Sequence, residues 1–222
     1  MKFPNPLRNA LFASILLCAS LLASAGGLIT PEAANVVRFN PGKSAGARGK
    51  QLATLESYLL ADTVTVGLDP NDDADWKADS IDAGMQVWAN ALADSPFRLS
   101  RPGEKPMIVV KFVDSIDSGG DVQGQVEATR MLHWGASVSY QINGTLLVRR
   151  TTGRRDLRPD ELTEVVAHEL GHLLGLDDAR ECVGLMGPFV SGHPRLKPSK
   201  EEVDAVVSYR KELRAAIAKL EK

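Results

Sequence analysis

Residues 168–178 read His-Glu-Leu-Gly-His-Leu-Leu-Gly-Leu-Asp-Asp. His168 and His172 are four residues apart, so on a helix their imidazoles lie on one face and can reach the same metal ion. Glu169 is rotated from His168 by roughly 100° around the helix axis, so its carboxylate can lie beside the ion and accept a proton without binding it. The stretch therefore predicts a helix that carries a zinc site.

The residues after His172 predict where this helix ends and where a third ligand lies. Gly175 follows three residues later, and glycine lets a helix stop in a left-handed turn at little steric cost. The chain can then bend back beneath the metal. This turn places Asp178 as the third ligand, with its neighbour Asp177 as the competing carboxylate.

The whole stretch resembles the zinc-binding signature of the metzincin proteases. The last position of that signature is usually His, but it is Asp in snapalysin-like members, which matches Asp178. Leu185-Met186-Gly187-Pro188 is similar to the matrixin form of the turn that places a methionine beneath the metal in this family. The resemblance is specific over residues 168–188, and elsewhere it rests on the order and spacing of elements.

The resemblance implies a zinc-dependent endopeptidase that hydrolyses peptide bonds with a zinc-bound water. One catalytic Zn²⁺ would be held by His168, His172 and Asp178, and Glu169 would be the general base. A structural Ca²⁺ is not indicated. The expected partner is a protein or peptide substrate, and the chain is expected to be a monomer.

The resemblance also assigns roles to residues after the zinc helix. Met186 is expected to pack beneath the ligands without binding the ion. Pro188 and Val190 are expected to line the pocket for the side chain that follows the scissile bond. Matrixins usually have an aromatic residue where Val190 stands, so the cleavage specificity is left open.

Hydrophobic patterns outside this stretch predict an α+β fold. Strands are expected over residues 62–68, 107–113, 126–140 and 144–150, with a turn at Ile142-Asn143-Gly144 joining the last two. The resemblance implies that they form a metzincin-like fold: a twisted, mostly parallel five-stranded sheet with two long helices and a C-terminal helix.

Three helices are expected from apolar spacing and capping residues. The first covers residues 75–93, the second covers 159–174, and the third runs from Ser199 to the C-terminus, with Ser199 and Glu202 as a capping box. The side chains expected on the buried faces of the first and third helices are Ile81, Met85, Trp88, Leu92, Val203, Val206, Val207 and Leu213.

The N-terminal 50 residues predict export. Residues 1–25 have the pattern of a signal peptide: Lys2 and Arg8, then an uncharged apolar run, then small residues at the cleavage site. Residues 26–50 are interpreted as a linker or short pro-segment, and residues 51–222 as the catalytic domain. The protein is expected to be secreted, with retention in the cell envelope as the alternative.

Composition excludes several other classes of function. The net charge is −2 and the aromatic content is 5%, which argues against nucleic-acid binding. The apolar run is shorter than the about 20 residues of a membrane-spanning helix, so no stable membrane insertion is expected.

Removal of the signal peptide leaves Cys182 as the single cysteine, which is expected to be a small buried residue. His133 and His193 are interpreted as surface or loop histidines.

Two alternative functions remain open from the sequence. One is a zinc hydrolase that acts on a non-peptide amide, which predicts a closed pocket. The other is a metal-stabilised binding module without turnover. A peptidase predicts an open cleft beside an unpaired strand edge that can add the substrate as a further strand.

Overall fold

The computed structural model describes residues 27–39, 44–72, 75–116, 122–134, 138–179 and 184–222. The predicted signal peptide and Cys182 lie outside the described residues. The helices are α1 (Pro31–Arg38), α2 (Ala45–Leu59), α3 (Asp75–Ala91), α4 (Pro159–Leu173) and α5 (Lys200–Leu220). The strands are β1 (Val64–Leu68), β2 (Phe97–Leu99), β3 (Ile108–Val113), β4 (Gly124–Trp134), β5 (Val138–Arg149), β6 (Thr151–Thr152) and β7 (Arg155–Asp156).

Five strands form a mostly parallel sheet in the order β2-β1-β3-β5-β4. β1 pairs in parallel with β2 and β3, β3 pairs in parallel with β5, and β4 runs antiparallel to β5 at the edge. Ile108, Val110 and Phe112 alternate along β3 and are buried, as expected for a central strand with a period of two. The prediction of an α+β fold with a mostly parallel five-stranded sheet is confirmed.

Helices α3 and α4 pack against each other beneath the core of the sheet. Ile81, Met85 and Trp88 of α3 are at most 1% exposed, which confirms the predicted apolar face. The Trp88 indole N–H donates to the carbonyl oxygen of Ala167 at 2.7 Å. This bond satisfies the polar end of a large buried side chain and fixes α4 in the turn that precedes His168.

Helix α4 has the boundaries that the sequence predicts to within one residue. Pro159 begins it, and Asp160 and Glu161 lie in the first turn, where the helix dipole favours negative charge. Gly175 follows the helix at φ +96°, and a Cβ there would lie 2.8 Å from Tyr209. A side chain is therefore disfavoured at this position by both the backbone angle and the space.

The predicted turn at Ile142-Asn143-Gly144 is wrong, because these residues lie inside the continuous strand β5. Gly144 pairs with Ala128 on one side and Ile108 on the other. A Cβ at Gly144 would lie 2.6 Å from the carbonyl oxygen of Glu127. Glycine here permits a close approach between strands, whereas in the sequence an Asn-Gly pair is typical of a turn.

Folded structure begins before Gln51, the first residue of the expected catalytic domain. Helix α1 precedes Gln51 and helix α2 spans it. Leu55 of α2 is 1% exposed and packs with Tyr209 and Leu213 of α5 in a second hydrophobic cluster. Helix α2 contains glycines and has a mixed polar and apolar pattern, so its periodicity was not visible. Whether residues 26–50 act as a pro-segment stays a prediction.

A short N-terminal strap, residues 28–30, pairs with the segment that follows α4. The N–H of Thr30 donates to the carbonyl oxygen of Gly175 at 2.9 Å, and the N–H of Asp177 donates to that of Leu28 at 2.8 Å. Ile29 and Leu176 form the antiparallel bridge between these two bonds. The strap thus holds the backbone immediately before Asp178.

Helix α5 has the predicted capping box at Ser199 and Glu202. Val206 and Leu213 are fully buried, but Val207 is 52% exposed, so its place on the buried face was predicted wrongly. One residue beyond Val206 lies roughly 100° around the helix, which turns Val207 to the surface. Within the described ranges, the structure contains no helix that is both long and apolar enough to cross a membrane.

Replacing Thr30 with proline tests the strap. Thr30 has φ −56°, which proline adopts without strain, so the change removes the N–H that bonds Gly175 together with the hydroxyl that caps α1. Thr30→Ala removes only the cap and should cost about 1 kcal/mol. Thr30→Pro should cost about 1–2 kcal/mol more, measured as the free energy of unfolding in urea. Equal stability of the two variants would contradict a stabilising strap.

Candidate metal centre

The two histidines of α4 have their rings fixed by backbone carbonyls. His168 Nδ1 lies 2.9 Å from the carbonyl oxygen of Leu185, and His172 Nδ1 lies 2.9 Å from that of Leu176. Because a carbonyl oxygen only accepts, each Nδ1 must carry the hydrogen. The lone pair of each neutral ring is then on Nε2, the arrangement in which imidazole binds a metal with its second nitrogen hydrogen-bonded.

The carboxylate of Asp178 lies between these two rings. Its Oδ1 is 3.1 Å from His168 Nε2 and 3.5 Å from His172 Nε2. Ligand atoms at 2.0–2.1 Å from a tetrahedral zinc are separated by about 3.3–3.4 Å. The two observed distances lie on either side of this value. The Asp178 oxygen therefore lies at the distance from each Nε2 that two ligands of one small cation would have.

Electrostatics link His168 and Asp178. Burial alone would lower the pKa of His168, but the hydrogen bond with Asp178 and the charge of Glu169 raise it above its ordinary value. The same hydrogen bond lowers the pKa of Asp178, although burial opposes this. A cation that binds His168 Nε2 must displace a proton from it, so binding should weaken as the pH falls.

Glu169 lies beside the histidines and is 4% exposed. A Cβ on Gly124 would lie 2.7 Å from its Oε1, so the carboxyl packs against bare backbone of β4. Burial raises the pKa of Glu169, although His168, His172 and the Val126 N–H act in the opposite direction. Ligand atoms of His168, Glu169 and His172 lie within 4.8 Å of one another, and this group can hold a metal ion.

Met186 forms a floor against α4 next to this group. It is fully buried, and a Cβ on Gly171 would lie 2.5 Å from its sulfur and 3.2 Å from Trp88. Glycine in the middle of α4 therefore lets the methionine pack directly against the helix backbone between the two histidines. A larger residue would displace the floor.

Glu202 supports the turn that contains Met186, and the sequence did not reveal this role. Its carboxylate accepts from the N–H groups of Leu185 at 3.0 Å, Met186 at 2.8 Å and Ser199 at 2.6 Å. Leu185 in turn accepts from His168. The Met186 N–H and the Leu185 carbonyl belong to one peptide unit, so Glu202 helps to fix the orientation of the His168 ring through that unit. The sequence identified Glu202 as a member of the capping box, but it did not reveal the hydrogen bonds with Leu185 and Met186.

A pocket of about 710 Å³ opens beside the histidines, and His168, Glu169, His172 and Asp178 all contribute to its lining. The opposite wall consists of residues 122–126, at the start of edge strand β4. The carbonyl oxygen of Gln123 accepts from the N–H of Arg149 in β5. Because backbone groups alternate along a strand, those of Gly124 and Val126 point away from β5 and towards the pocket.

The segment after Met186 forms a further wall of the pocket. Pro188 and Phe189 line it, whereas Val190 is 45% exposed and is not among the lining residues. Of the two residues expected to line a substrate pocket, Pro188 lies in the wall and Val190 does not, and Phe189 lines the wall instead. A role of this wall in binding substrate stays a prediction.

An ion pair at the start of α4 anchors this wall. Arg155 donates to both oxygens of Glu161 at 2.6 and 2.7 Å, and to the hydroxyl of Ser191 at 2.8 Å. Glu161 also accepts from the N–H of Gly192 at 2.7 Å. The bond from Arg155 lowers the pKa of Glu161 to about 2, although burial opposes this. The sequence alone does not reveal these contacts.

The remaining candidate residues lie apart from this group. His133 is exposed on β4 and bonds to Gln141, and His193 is exposed in the loop after Val190, in agreement with their interpretation as surface residues. Asp177 is exposed, and its Oδ1 accepts from the N–H of Asp178 at 2.9 Å. The contacts to both imidazoles come from Asp178.

Comparisons with known proteins do not assign the chain to a family. The chain matches no protein-family model, and no curated protein matches it significantly.

Paired amide substitutions distinguish the two neighbouring aspartates. Asp178→Asn should weaken zinc binding by more than about 100-fold, because loss of a ligand exceeds the 10–100-fold effect of losing an outer-shell partner. Asp177→Asn keeps its acceptor oxygen and should change zinc affinity little. Competition with a chromophoric chelator measures both. Equal losses, or a larger loss in Asp177→Asn, would argue that Asp178 is not the ligand.

The neighbours Glu201 and Glu202 offer a second matched pair. Glu202→Gln places an amide N–H₂ against backbone N–H groups in the core and should lower the free energy of unfolding by about 2–4 kcal/mol. Exposed Glu201→Gln should change it by less than about 0.5 kcal/mol. Urea denaturation gives both values. Similar effects for the two variants would refute a special role for Glu202.

Proposed function

We propose that this chain is a zinc-dependent endopeptidase of the metzincin type. The convergence of His168 Nε2, His172 Nε2 and Asp178 Oδ1, at 3.1 and 3.5 Å from the carboxylate oxygen, carries the proposal. Nitrogen and oxygen donors of this kind suit zinc, and three protein ligands are typical of catalytic rather than structural zinc sites.

A bound zinc would supply Lewis acidity towards a carbonyl oxygen and a water of lowered pKa. The chain itself supplies the proton acceptor. Glu169 is the buried carboxylate next to the histidines, and its raised pKa brings it closer to the range in which a base can both take and return a proton near neutral pH. Glu169 takes the proton of the attacking water and returns it to the leaving nitrogen of the peptide bond.

The edge of β4 would bind the substrate main chain. The backbone groups of Gly124 and the carbonyl oxygen of Val126 face the pocket, and an extended peptide can add there as a further strand. The long side of the pocket along residues 122–126 favours a peptide over a small amide. A strand-like substrate would place one side chain between Val165 of α4 and the wall formed by Pro188 and Phe189.

The proposal includes secretion, because residues 1–25 have the pattern of a signal peptide. Export as a folded, zinc-loaded enzyme does not require disulfides if the metal and the core stabilise the domain. Mass spectrometry of the extracellular protein, starting at or near residue 26, would support this part of the proposal independently of activity.

Replacing Glu169 with glutamine tests the proposed chemistry. The wild-type protein should cleave casein or gelatin, a chelator should stop cleavage, and added zinc should restore it. Glu169→Gln should keep its zinc but lose at least about 100-fold in kcat/KM, because an amide cannot accept the proton. Metal content is measured by mass spectrometry and cleavage by release of labelled peptides.

Glu212→Gln is the control, since this carboxylate is exposed on α5 and should leave both properties unchanged. Cleavage by Glu169→Gln at the wild-type rate, or full activity with chelator present, would eliminate the proposed mechanism. Zinc binding without cleavage of any peptide by the wild type would favour the binding module instead.

A further inference from the structure

A buried carboxyl of α4 lines the pocket and has no role in the proposed chemistry. Glu164 lies four residues before His168 on the same helix face and is 2% exposed. Neither of its oxygens has a hydrogen-bond partner among the described residues. Burial raises its pKa, although the backbone N–H and the charge of Arg195 act in the opposite direction.

Two other buried carboxylates close to this site, Glu161 and Glu202, each accept several hydrogen bonds. Glu161 accepts from Arg155 and from the N–H groups of Arg158 and Gly192, and Glu202 accepts from three backbone N–H groups. A carboxylate can accept about four hydrogen bonds, and buried polar groups are nearly always satisfied. Glu164 is therefore unusual within the same structure.

The guanidinium of Arg195 does not supply the hydrogen bonds that Glu164 lacks. It donates to the carbonyl oxygens of Gly184, at 2.7 Å, and Pro188. Both hydrogen bonds lie within the segment that forms the pocket wall, so the guanidinium fixes the wall and does not bond Glu164. The Arg195 N–H lies close enough to lower the Glu164 pKa, but among the described residues neither Glu164 oxygen has a hydrogen bond of good geometry.

The rest of the pocket lining suits the stem of a long side chain. Val165, Met186, Pro188 and Phe189 contribute to the lining together with Glu164. Apolar walls combined with the carboxyl of Glu164 match an arginine or lysine, whose methylene stem packs against apolar surface while the charged end needs a polar partner. A guanidinium fits a carboxylate best, because two parallel N–H donors meet its two oxygens.

Building on the proposed peptidase function, we propose that this pocket takes a cationic substrate side chain, arginine ahead of lysine, with Glu164 as its counter-ion. The carboxyl oxygens are shielded from water, so a side chain that reaches them must displace part of the pocket wall. A cation gains an ion pair in return, whereas a neutral side chain of the same shape gains much less.

Arginine and citrulline peptides, which differ in charge but hardly in shape, test the specificity. A peptide library identifies the cleaved bond and the position that enters the pocket, and matched peptides then carry arginine or citrulline there. The wild type should prefer arginine in kcat/KM by about 10- to 100-fold, the equivalent of one charge-assisted bond. Glu164→Gln should reduce this ratio to near one, and Glu164→Met should shift the preference to leucine or methionine.

Glu212→Gln serves as the control for a lost surface carboxylate and should keep the wild-type ratio. An arginine-to-citrulline ratio that is the same in the wild type and Glu164→Gln would overturn the proposal. So would a library that shows no cationic preference on either side of the cleaved bond.

Two measurements without turnover separate this proposal from the proposed function. Binding of L-argininamide and L-citrullinamide, followed by NMR, should show a preference for argininamide that Glu164→Gln abolishes. Thermal denaturation should show Glu164→Met more stable than the wild type, because an unpartnered buried carboxyl is destabilising. If no peptide is cleaved but both results hold, the peptidase proposal fails and the cation pocket stands. Equal binding of the two amides, or destabilisation by Glu164→Met, would refute the pocket.

Discussion

The hydrogen bonds that fix the His168 and His172 rings are the interactions on which the rest of the site depends. The carbonyl oxygens of Leu185 and Leu176 accept hydrogen bonds from the two Nδ1 atoms at 2.9 Å, so both Nε2 atoms face Asp178 and are the nitrogens that can bind a cation. Helical spacing alone brings the two side chains to one face. Ring rotation and tautomer are decided by these carbonyls, which lie outside the helix.

Both carbonyls are held in turn by distant parts of the chain. The buried carboxylate of Glu202 binds the N–H groups of Leu185 and Met186, and the N-terminal strap, residues 28–30, binds the backbone on either side of Leu176. Glu202 and the strap therefore position the two peptide units whose carbonyl oxygens accept hydrogen bonds from the histidine rings. The mainly apolar core supplies the rigidity, since Trp88, Leu170 and Met186 are fully buried against the helix.

Local patterns predicted the parts of the structure that depend on nearby residues. The spacing of His168, His172 and Gly175 was sufficient for helix α4 and its end, and a compact apolar run was sufficient for β3. Contacts between distant residues were not visible. The contact of Arg155 with Ser191 joins residues far apart in the sequence, and Gly144 resembled a turn residue although it lies between β4 and β3 in the sheet. Helix α2 depends on burial of Leu55 against α5 rather than on its own periodicity.

X-ray absorption at the metal edge of the purified protein tests the central claim most directly. The account predicts one zinc per chain, bound by two imidazole nitrogens and one carboxylate oxygen at about 2.0–2.1 Å, and loss of the imidazole scattering pattern in His168→Ala and His172→Ala. A spectrum without histidine ligands, or iron in place of zinc after expression with both metals supplied, would contradict it.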